Sequence, residues 1–219
     1  MNNKFEAILF DLDGTLLNTL EDLADAVNKG LAEKEFPQHG LNQFRYFVGE
    51  GREEMALKAL PADHRDPATL KWLVDFINVY YAIHWKDHTL PYPGIADTLD
   101  NLVVRGIRLA VFSNKPQEFT SQNVEGLLPR WNFEIVLGAS DTVPKKPNPA
   151  AALRIAAELG LQPAKFIYLG DSGIDMRTAR GAGMYPVGAV WGFRTREELI
   201  ADGAKIVIER PQELLKLIN

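Results

Sequence analysis

The sequence contains no cysteine and no long apolar run. The first absence excludes a disulfide framework, a zinc site built on thiolates and a thiol nucleophile. The longest apolar stretch near the start, residues 7–10, is too short for the core of a signal peptide, and no stretch approaches the length of a membrane-spanning helix. We therefore expect a cytoplasmic protein that does not enter a membrane.

Basic charge is also scarce. Lys and Arg number 24 against 29 Asp and Glu, which gives a net charge of -5, and the basic residues are scattered along the chain. A nucleic-acid surface or an anionic membrane surface needs clustered Lys and Arg, so neither partner is expected. An acidic protein that binds phosphate needs a local device, such as a metal ion or helix N-termini.

The 219 residues suffice for one large α/β domain, or for one domain with a modest insertion. Strand-like apolar runs alternate with helical patterns through most of the chain, which predicts right-handed βαβ units and a parallel sheet. The predicted strands are residues 5–10, 107–112, 133–137, 166–169, 187–190 and 206–208.

The segment between the first two of these strands breaks the alternation. From residue 18 to about 84 it reads as several short helices separated by Pro and Gly, with no convincing strand. Asn18 and Thr19 are residue types that cap the start of a helix, and we expect one of them to do so. The pattern predicts an inserted α-helical cap at 16–88, with residues 1–15 and 89–219 forming the sheet-bearing core.

Four polar clusters follow predicted strands or lie in the loops after them. They are residues 11–15, 113–114, 145–147 and 170–172. Ligands bind beyond the C-terminal ends of the strands in an open parallel sheet. The predicted fold therefore brings these four clusters to one rim, although they are far apart in the sequence.

The residue types at this rim suggest a reaction. Asp11, Asp13 and Asp171 would crowd negative charge, which is costly unless a proton or a cation compensates it, and oxygen ligands favour Mg²⁺. Lys146 and Ser113 are suitable partners for phosphoryl oxygens. A carboxylate can form an acyl phosphate, and a second carboxyl can protonate the leaving oxygen and then activate water. The cluster predicts Mg²⁺-dependent phosphoryl transfer.

The motifs at these positions resemble those of the haloacid dehalogenase superfamily. Asp-Leu-Asp-Gly-Thr-Leu at residues 11–16 is similar to its first motif, and residues 113–114, 146–147 and 170–175 resemble the second, third and fourth in the same order. The resemblance covers nearly the whole chain. It implies a Rossmann-like core with a helical cap, and a Mg²⁺-dependent phosphatase acting on a small-molecule phosphate ester.

The resemblance also implies roles for individual residues. Asp11 would be the nucleophile, and Asp13 the general acid and base. Mg²⁺ would bind the Asp11 carboxylate, the Asp13 backbone carbonyl and the Asp171 carboxylate, with Asp175 supporting the metal indirectly or through water. The residues implied to hold the phosphoryl group are Ser113, Asn114 through its backbone, and Lys146.

Within the superfamily, the sequence is most similar to the phosphoglycolate phosphatase family. Residues 48–52, 92–94 and 112–116 carry this softer likeness, which makes 2-phosphoglycolate the leading substrate. Arg52, on a glycine-rich cap loop, is a candidate for binding the substrate's carboxylate or phosphate, and Lys115 is a similar candidate. The aromatic residues of the cap at helical spacing are expected to pack internally: Trp72, Phe76, Tyr80 and Tyr81.

Three alternatives stay open. A sugar-phosphate mutase like β-phosphoglucomutase would carry a His where Leu23 stands and often a Val in place of Thr15, so both departures favour hydrolysis. A pyrophosphatase of the same superfamily is a further alternative. A binding module without catalysis would be expected to lose at least one of the residues that are intact here: Asp11, Asp13, Lys146 and Asp171. The sequence does not indicate the oligomeric state.

Overall fold

The structure is a computed structural model, and it describes residues 4–218. These residues form strands, α-helices and three 3₁₀ helices, at Ala62–His64, Pro163–Lys165 and Pro211–Leu217. The strands are β1 (Ala7–Phe10), β2 (Leu17–Asn18), β3 (Leu90–Pro91), β4 (Arg108–Pro116), β5 (Phe133–Ala139), β6 (Phe166–Gly170), β7 (Tyr185–Ala189) and β8 (Ile206–Ile208). The α-helices are α1 (Leu20–Glu33), α2 (Leu41–Phe47), α3 (Arg52–Ala59), α4 (Pro67–His84), α5 (Ile95–Val104), α6 (Gln117–Leu127), α7 (Ala150–Glu158), α8 (Gly173–Ala182) and α9 (Arg196–Ala201).

Six strands form one parallel sheet in the order β5-β4-β1-β6-β7-β8. The central strand β1 is buried on both faces: Ile8 and Phe10 contribute to one apolar cluster, and Ala7 and Leu9 to another on the opposite side. Helices α5 and α6 supply side chains to the first cluster, and α7 and α8 to the second. Alternate side chains of a strand face opposite sides of a sheet, so a fully apolar β1 requires helices on both faces. The predicted α/β fold is confirmed.

Helices α1 to α4, which we call the helical insert, lie in the chain between β2 and β3. They share a third apolar cluster, which includes Val27, Phe44, Leu73 and Ile77 and which Phe193 of the sheet-bearing part joins. The pairing of Leu17 with Pro91 and of Asn18 with Leu90 makes β2 and β3 a two-stranded antiparallel sheet where the chain leaves and returns. The sequence pattern did not predict this small sheet. The role of the insert as a cap stays a prediction.

Element ends differ from the predictions in a way that bears on the site. Strand β4 continues through Ser113 and Asn114 to Pro116, so these polar residues lie within the strand and Pro116 directly precedes α6. Thr195 caps α9, accepting a hydrogen bond from the Glu198 amide. Of the two capping candidates, Thr19 occupies the N-cap position of α1, but its side chain makes no capping hydrogen bond, and its ψ of 4° is far from the extended backbone of a capping residue. None of the helices within residues 4–218 combines the length and the apolar character needed to cross a bilayer.

Asp22, near the start of α1, hydrogen-bonds the segment by which the chain returns from the helical insert. Its buried carboxylate accepts hydrogen bonds from the His88 amide at 2.9 Å, the Thr89 amide at 2.9 Å and the Thr89 hydroxyl at 2.6 Å. A carboxylate that accepts from two amides and a hydroxyl makes charge-assisted bonds, which are stronger than neutral ones. Asp22 therefore fixes the returning chain just before β3.

We predict that Asp22→Ala lowers the free energy of unfolding by about 3 kcal/mol, because it leaves the buried amide and hydroxyl of Thr89 and the partly buried His88 amide without an acceptor. At this chain length the loss corresponds to a fall in Tm of roughly 6–12 °C. Calorimetry against Asp25→Ala, which removes an exposed carboxylate of the same helix, measures the difference. Equal Tm values for the two variants would show that Asp22 does not hold the connection.

Candidate active site

Asp11 follows directly on β1, and Asp171 follows on the adjacent strand β6. The two strands run parallel with Phe10 opposite Leu169, so their ends lie side by side at one edge of the sheet. The turn after Asp11 needs a glycine: Gly14 has a φ of +85°, and a Cβ there would lie 2.3 Å from Asp171 Oδ2. The first loop is thus packed against the Asp171 carboxylate with no room for a side chain.

Three buried carboxylates form a cluster at this edge. One oxygen each from Asp11, Asp171 and Asp175 lie within 4.8 Å of one another. Burial and the neighbouring Asp175 raise the pKa of Asp11 well above its ordinary value, and the same two causes raise the pKa of Asp171 to about 7. Because all the donors are carboxylate oxygens at close range, the cluster fits a hard divalent cation.

Lys146 compensates part of this charge. Its buried Nζ donates to Asp11 Oδ1 and to Asp175 Oδ1, each at 2.7 Å. Although burial opposes it, the facing carboxylates of Asp11 and Asp175 hold the pKa of Lys146 well above its ordinary value. Its neighbour Lys145 is exposed and pairs with Glu53 of α3 instead.

Ser113 and Asn114 reach the same edge from the end of β4. Ser113 is buried and lines the cavity described below, and its Oγ accepts from the Lys115 amide at 3.2 Å. The Asn114 side chain accepts from the Lys146 amide at 2.8 Å and donates to the Lys146 carbonyl at 3.1 Å. It also donates to the Gly49 carbonyl of the insert at 3.0 Å, so Asn114 fixes the backbone of Lys146 and contacts the insert.

Neighbouring groups hold both Asp171 and Asp175. Asp171 accepts from the Thr15 hydroxyl at 3.3 Å and from the Phe193 amide at 2.7 Å. Asp175 accepts from the Ser172 amide at 3.1 Å and hydroxyl at 2.5 Å, which also caps the start of α8. Asp175 and Ser172 thus form a capping box, so Asp175 also stabilises the start of α8.

The Asp13 carboxylate lies outside the cluster of three and contacts Lys115. Lys115 Nζ donates to Asp13 Oδ1 at 2.9 Å and to the Tyr81 hydroxyl at 2.8 Å. Both Lys115 and Tyr81 are buried. Tyr81 comes from α4, so the chain of contacts joins Asp13 to the insert.

The packing interpretation of the insert's aromatic residues is incomplete for Tyr81. Trp72, Phe76 and Tyr80 recur every fourth residue and contact one another along one half-buried stripe of α4. Tyr81 follows the last of them by one residue, and one residue turns a helix by about 100°. That step places Tyr81 on another face, against Phe119 and the cavity, and it was the signal in the sequence that could have identified it.

A cavity of about 50 Å³ lies between the insert and the sheet. Arg52, the first residue of α3, lines it and stacks on the Phe119 ring at 4.6 Å, and burial lowers the pKa of its guanidinium. The cavity thus brings Arg52 together with the residues that the sequence singled out. Its lining includes Asp11, Asp13, Leu23, Arg52, Tyr81, Ser113, Asn114, Lys115, Lys146 and Asp171.

Comparisons with known proteins find similarity to one group of hydrolases. A family model for haloacid dehalogenase-like hydrolases matches residues 8–189. A phosphoglycolate phosphatase of Pseudomonas putida is 34% identical over 95% of this chain and 78% of that protein, and one of Escherichia coli K12 is 30% identical over 99% and 95%. The solved structure of a candidate phosphoglycolate phosphatase from Lactobacillus delbrueckii subsp. bulgaricus superposes with a TM-score of 0.90 at 29% identity, covering 96% of this chain and 97% of that one.

The raised pKa of Asp171 predicts a pH-dependent stability for the protein without metal. A carboxyl whose pKa is about 7 when folded, against an ordinary value of 3.8, favours folding while protonated, and this contribution is lost as the pH rises from about 4 to about 7. Asp171→Asn cannot ionise and keeps groups suited to Phe193 and Thr15. We expect its Tm at pH 8 with chelator to exceed that of the wild type by roughly 5 °C.

Differential scanning calorimetry at pH 5 and pH 8 checks this, with the exposed Asp75→Asn of α4 as control. Added divalent metal should raise the Tm of the wild type and of Asp75→Asn but not that of Asp171→Asn. Parallel pH profiles for wild type and Asp171→Asn would contradict the assigned charge repulsion.

Proposed function

This chain belongs to the haloacid dehalogenase-like hydrolase family, and from that membership we propose a Mg²⁺-dependent phosphatase whose substrate is 2-phosphoglycolate. The observation that carries the proposal is the cluster of Asp11, Asp171 and Asp175 around Lys146 at the end of the central strands. Such a cluster suits phosphoryl transfer, which depends on positioning and on neutralising charge at the transferring group.

Asp11 is the proposed nucleophile. Lys146 holds its Oδ1 at 2.7 Å, which fixes the rotamer of the side chain and leaves Oδ2 for attack on phosphorus. The P–O bond to the leaving group breaks as the Oδ2–P bond forms, and the product is an aspartyl phosphate. Lys146, whose Nζ lies 2.7 Å from Asp11 Oδ1, and Ser113, which lines the same cavity, would bind the phosphoryl oxygens together with the Asn114 backbone.

Asp13 is the proposed general acid and base. It gives a proton to the leaving oxygen in the first step and takes one from the attacking water in the second. Lys115 at 2.9 Å fixes the Asp13 side chain, and Tyr81 of the insert fixes Lys115 in turn. Hydrolysis of the aspartyl phosphate then releases inorganic phosphate and restores Asp11.

The metal would bind between the first and fourth motifs. The carboxylates of Asp11 and Asp171 and the backbone carbonyl of Asp13 would bind the metal. Asp175 would support the metal indirectly or through water. When bound, Mg²⁺ supplies charge that offsets the negative phosphoryl oxygens and carboxylates. The family and the buried carboxylates support a divalent metal, and the choice of Mg²⁺ rests on the all-oxygen donor set.

The charge of the cavity wall favours a substrate with a second anionic group. Arg52 and Lys115 add positive charge to the cavity wall and suit a second anionic group such as a carboxylate. Both relatives compared above are phosphoglycolate phosphatases, and phosphoglycolate carries a carboxylate one carbon from its ester oxygen.

Leu23 argues against the mutase alternative. Its side chain lines the cavity, where a mutase would place a histidine, and leucine can neither donate nor accept a proton. Pyrophosphate is the stronger rival, since it is small and carries two anionic groups. The cytoplasmic location and the absence of nucleic-acid and membrane partners stay predictions.

We predict that Asp11→Asn abolishes phosphate release from 2-phosphoglycolate, because an amide oxygen is too weak a nucleophile to form the acyl phosphate. Phosphate release with Mg²⁺ and with chelator measures this, and the wild type should be active only with metal. Circular dichroism and Tm of Asp11→Asn verify that the variant is folded. Near-normal turnover in the folded variant would rule out the proposed mechanism.

Arg52→Ala tests the substrate separately. If Arg52 binds the carboxylate, kcat/KM for 2-phosphoglycolate should fall about 10–100-fold, while ethyl phosphate, which lacks the carboxylate, should change less than about threefold. Lys58→Ala, at the other end of α3 and paired with Glu50 outside the cavity, is the matched control. An equal fall in kcat/KM for both esters would mean that Arg52 does not bind the carboxylate. If the wild type hydrolyses pyrophosphate faster than 2-phosphoglycolate, pyrophosphate would be the better substrate and the proposed one would be wrong.

A further inference from the structure

The loop of residues 191–194, which we call the bridging loop, lies directly against the metal-site carboxylate Asp171. The Phe193 amide donates to Asp171 Oδ2 at 2.7 Å, and the Trp191 indole donates to the Thr15 carbonyl at 3.0 Å. A Cβ on Gly192 would lie 2.3 Å from Asp171 Cβ and 2.3 Å from the Gly14 carbonyl oxygen, so the loop has no room for a side chain at this position. Any displacement of this loop would therefore change the position of the Asp171 side chain.

The other side of the bridging loop is held by the helical insert. Arg45 of α2 donates through Nη2 to the Gly192 carbonyl at 2.7 Å and through Nε to the Phe193 carbonyl at 3.1 Å. Arg194 returns the contact by donating to the carbonyls of Arg45 and Val48. Phe193 is 5% exposed and packs into the insert's apolar cluster.

One rigid unit joins these two sets of contacts. The Gly192 carbonyl and the Phe193 amide are the two ends of a single peptide group, which is planar and cannot twist without a large cost. Arg45 holds one end and Asp171 the other, each at 2.7 Å. A cation at the carbonyl also polarises the peptide, which strengthens its N–H as a donor to the carboxylate.

We propose that Arg45 is a positioning residue for Asp171, acting through the Gly192–Phe193 peptide, so that the seating of the insert sets the geometry of the metal site. The inference rests on the proposed function, in which Asp171 is a metal ligand. The 2.7 Å hydrogen bond to Oδ2 fixes the rotation of the carboxylate, and Oδ1, which accepts the longer bond from the Thr15 hydroxyl at 3.3 Å, would bind the cation. Coupling between two sites is reciprocal, so bound metal must in turn stabilise the contact of α2 with the bridging loop.

Direct titration with Mn²⁺, followed by the loss of the free-ion signal in electron paramagnetic resonance, tests the proposal without substrate or turnover. Arg45→Ala should weaken Mn²⁺ binding about tenfold, within the usual range of coupling between sites. Arg45→Lys, which offers one ammonium for two carbonyls, should lie between Arg45→Ala and the wild type. Arg65→Ala is the matched control, because Arg65 also binds backbone carbonyls, those of Leu60 and Lys58, but entirely within the insert.

Hydrogen exchange of the wild type gives a second measurement that needs no variant. Mn²⁺ should slow amide exchange in α2 and in the bridging loop, and unchanged exchange there would overturn the proposal even if Arg45→Ala fails to fold. Mn²⁺ affinity of a folded Arg45→Ala within twofold of the wild type would overturn it as well. A wild type that binds no Mn²⁺ would instead remove the metal site of the proposed function, so the two failures are distinguishable.

Discussion

Repulsion between buried carboxylates is the constraint on which this structure depends. Asp11, Asp171 and Asp175 lie within 4.8 Å of one another, and Lys146 supplies one positive charge against three acidic groups. Burial and mutual repulsion raise the pKa of Asp11 and Asp171, so the folded protein pays for this arrangement in stability. A cluster that destabilises the metal-free fold is understandable if a divalent cation completes it, because the cation reverses the sign of the local electrostatics.

The fold meets this constraint by building the cluster from rigid parts. Adjacent parallel strands β1 and β6 present Asp11 and Asp171 side by side, and the first turn of α8 presents Asp175. Three polar links then connect the helical insert to the site, each ending on a different group. They run from Tyr81 through Lys115 to Asp13, from Gly49 through Asn114 to the Lys146 backbone, and from Arg45 through the Gly192–Phe193 peptide to Asp171.

The parts of the site that follow strand ends could be predicted from the sequence. Asp11, Asp171 and the Ser113–Asn114 pair each follow an apolar run, and the geometry of parallel sheets brings such positions together whatever lies between them. Lys146 could be separated from Lys145 by its proline neighbour, and only Lys146 faces the carboxylates. The α/β fold followed in the same way from the alternation of strands and helices.

The contacts made by the insert could not be predicted, because they depend on how the insert sits on the sheet. In the sequence, Arg45 and Arg194 look like ordinary surface charges of a helix and a loop. Their contacts form only because the helical insert packs against the bridging loop. The two-residue strands β2 and β3 are too short to leave a periodic signal. Tyr81 resembled its neighbours in type, and only its one-residue offset from the stripe of Trp72 and Tyr80 distinguished it.

The position of the metal is the most direct measurement of the central claim. Crystals grown with Mn²⁺ should give one strong anomalous-difference peak at the edge of the sheet, at about 2.0–2.3 Å from carboxylate oxygens of both Asp11 and Asp171, distances typical of a small divalent cation. An anomalous peak elsewhere, with Asp11 and Asp171 bound only to protein groups, would contradict the account.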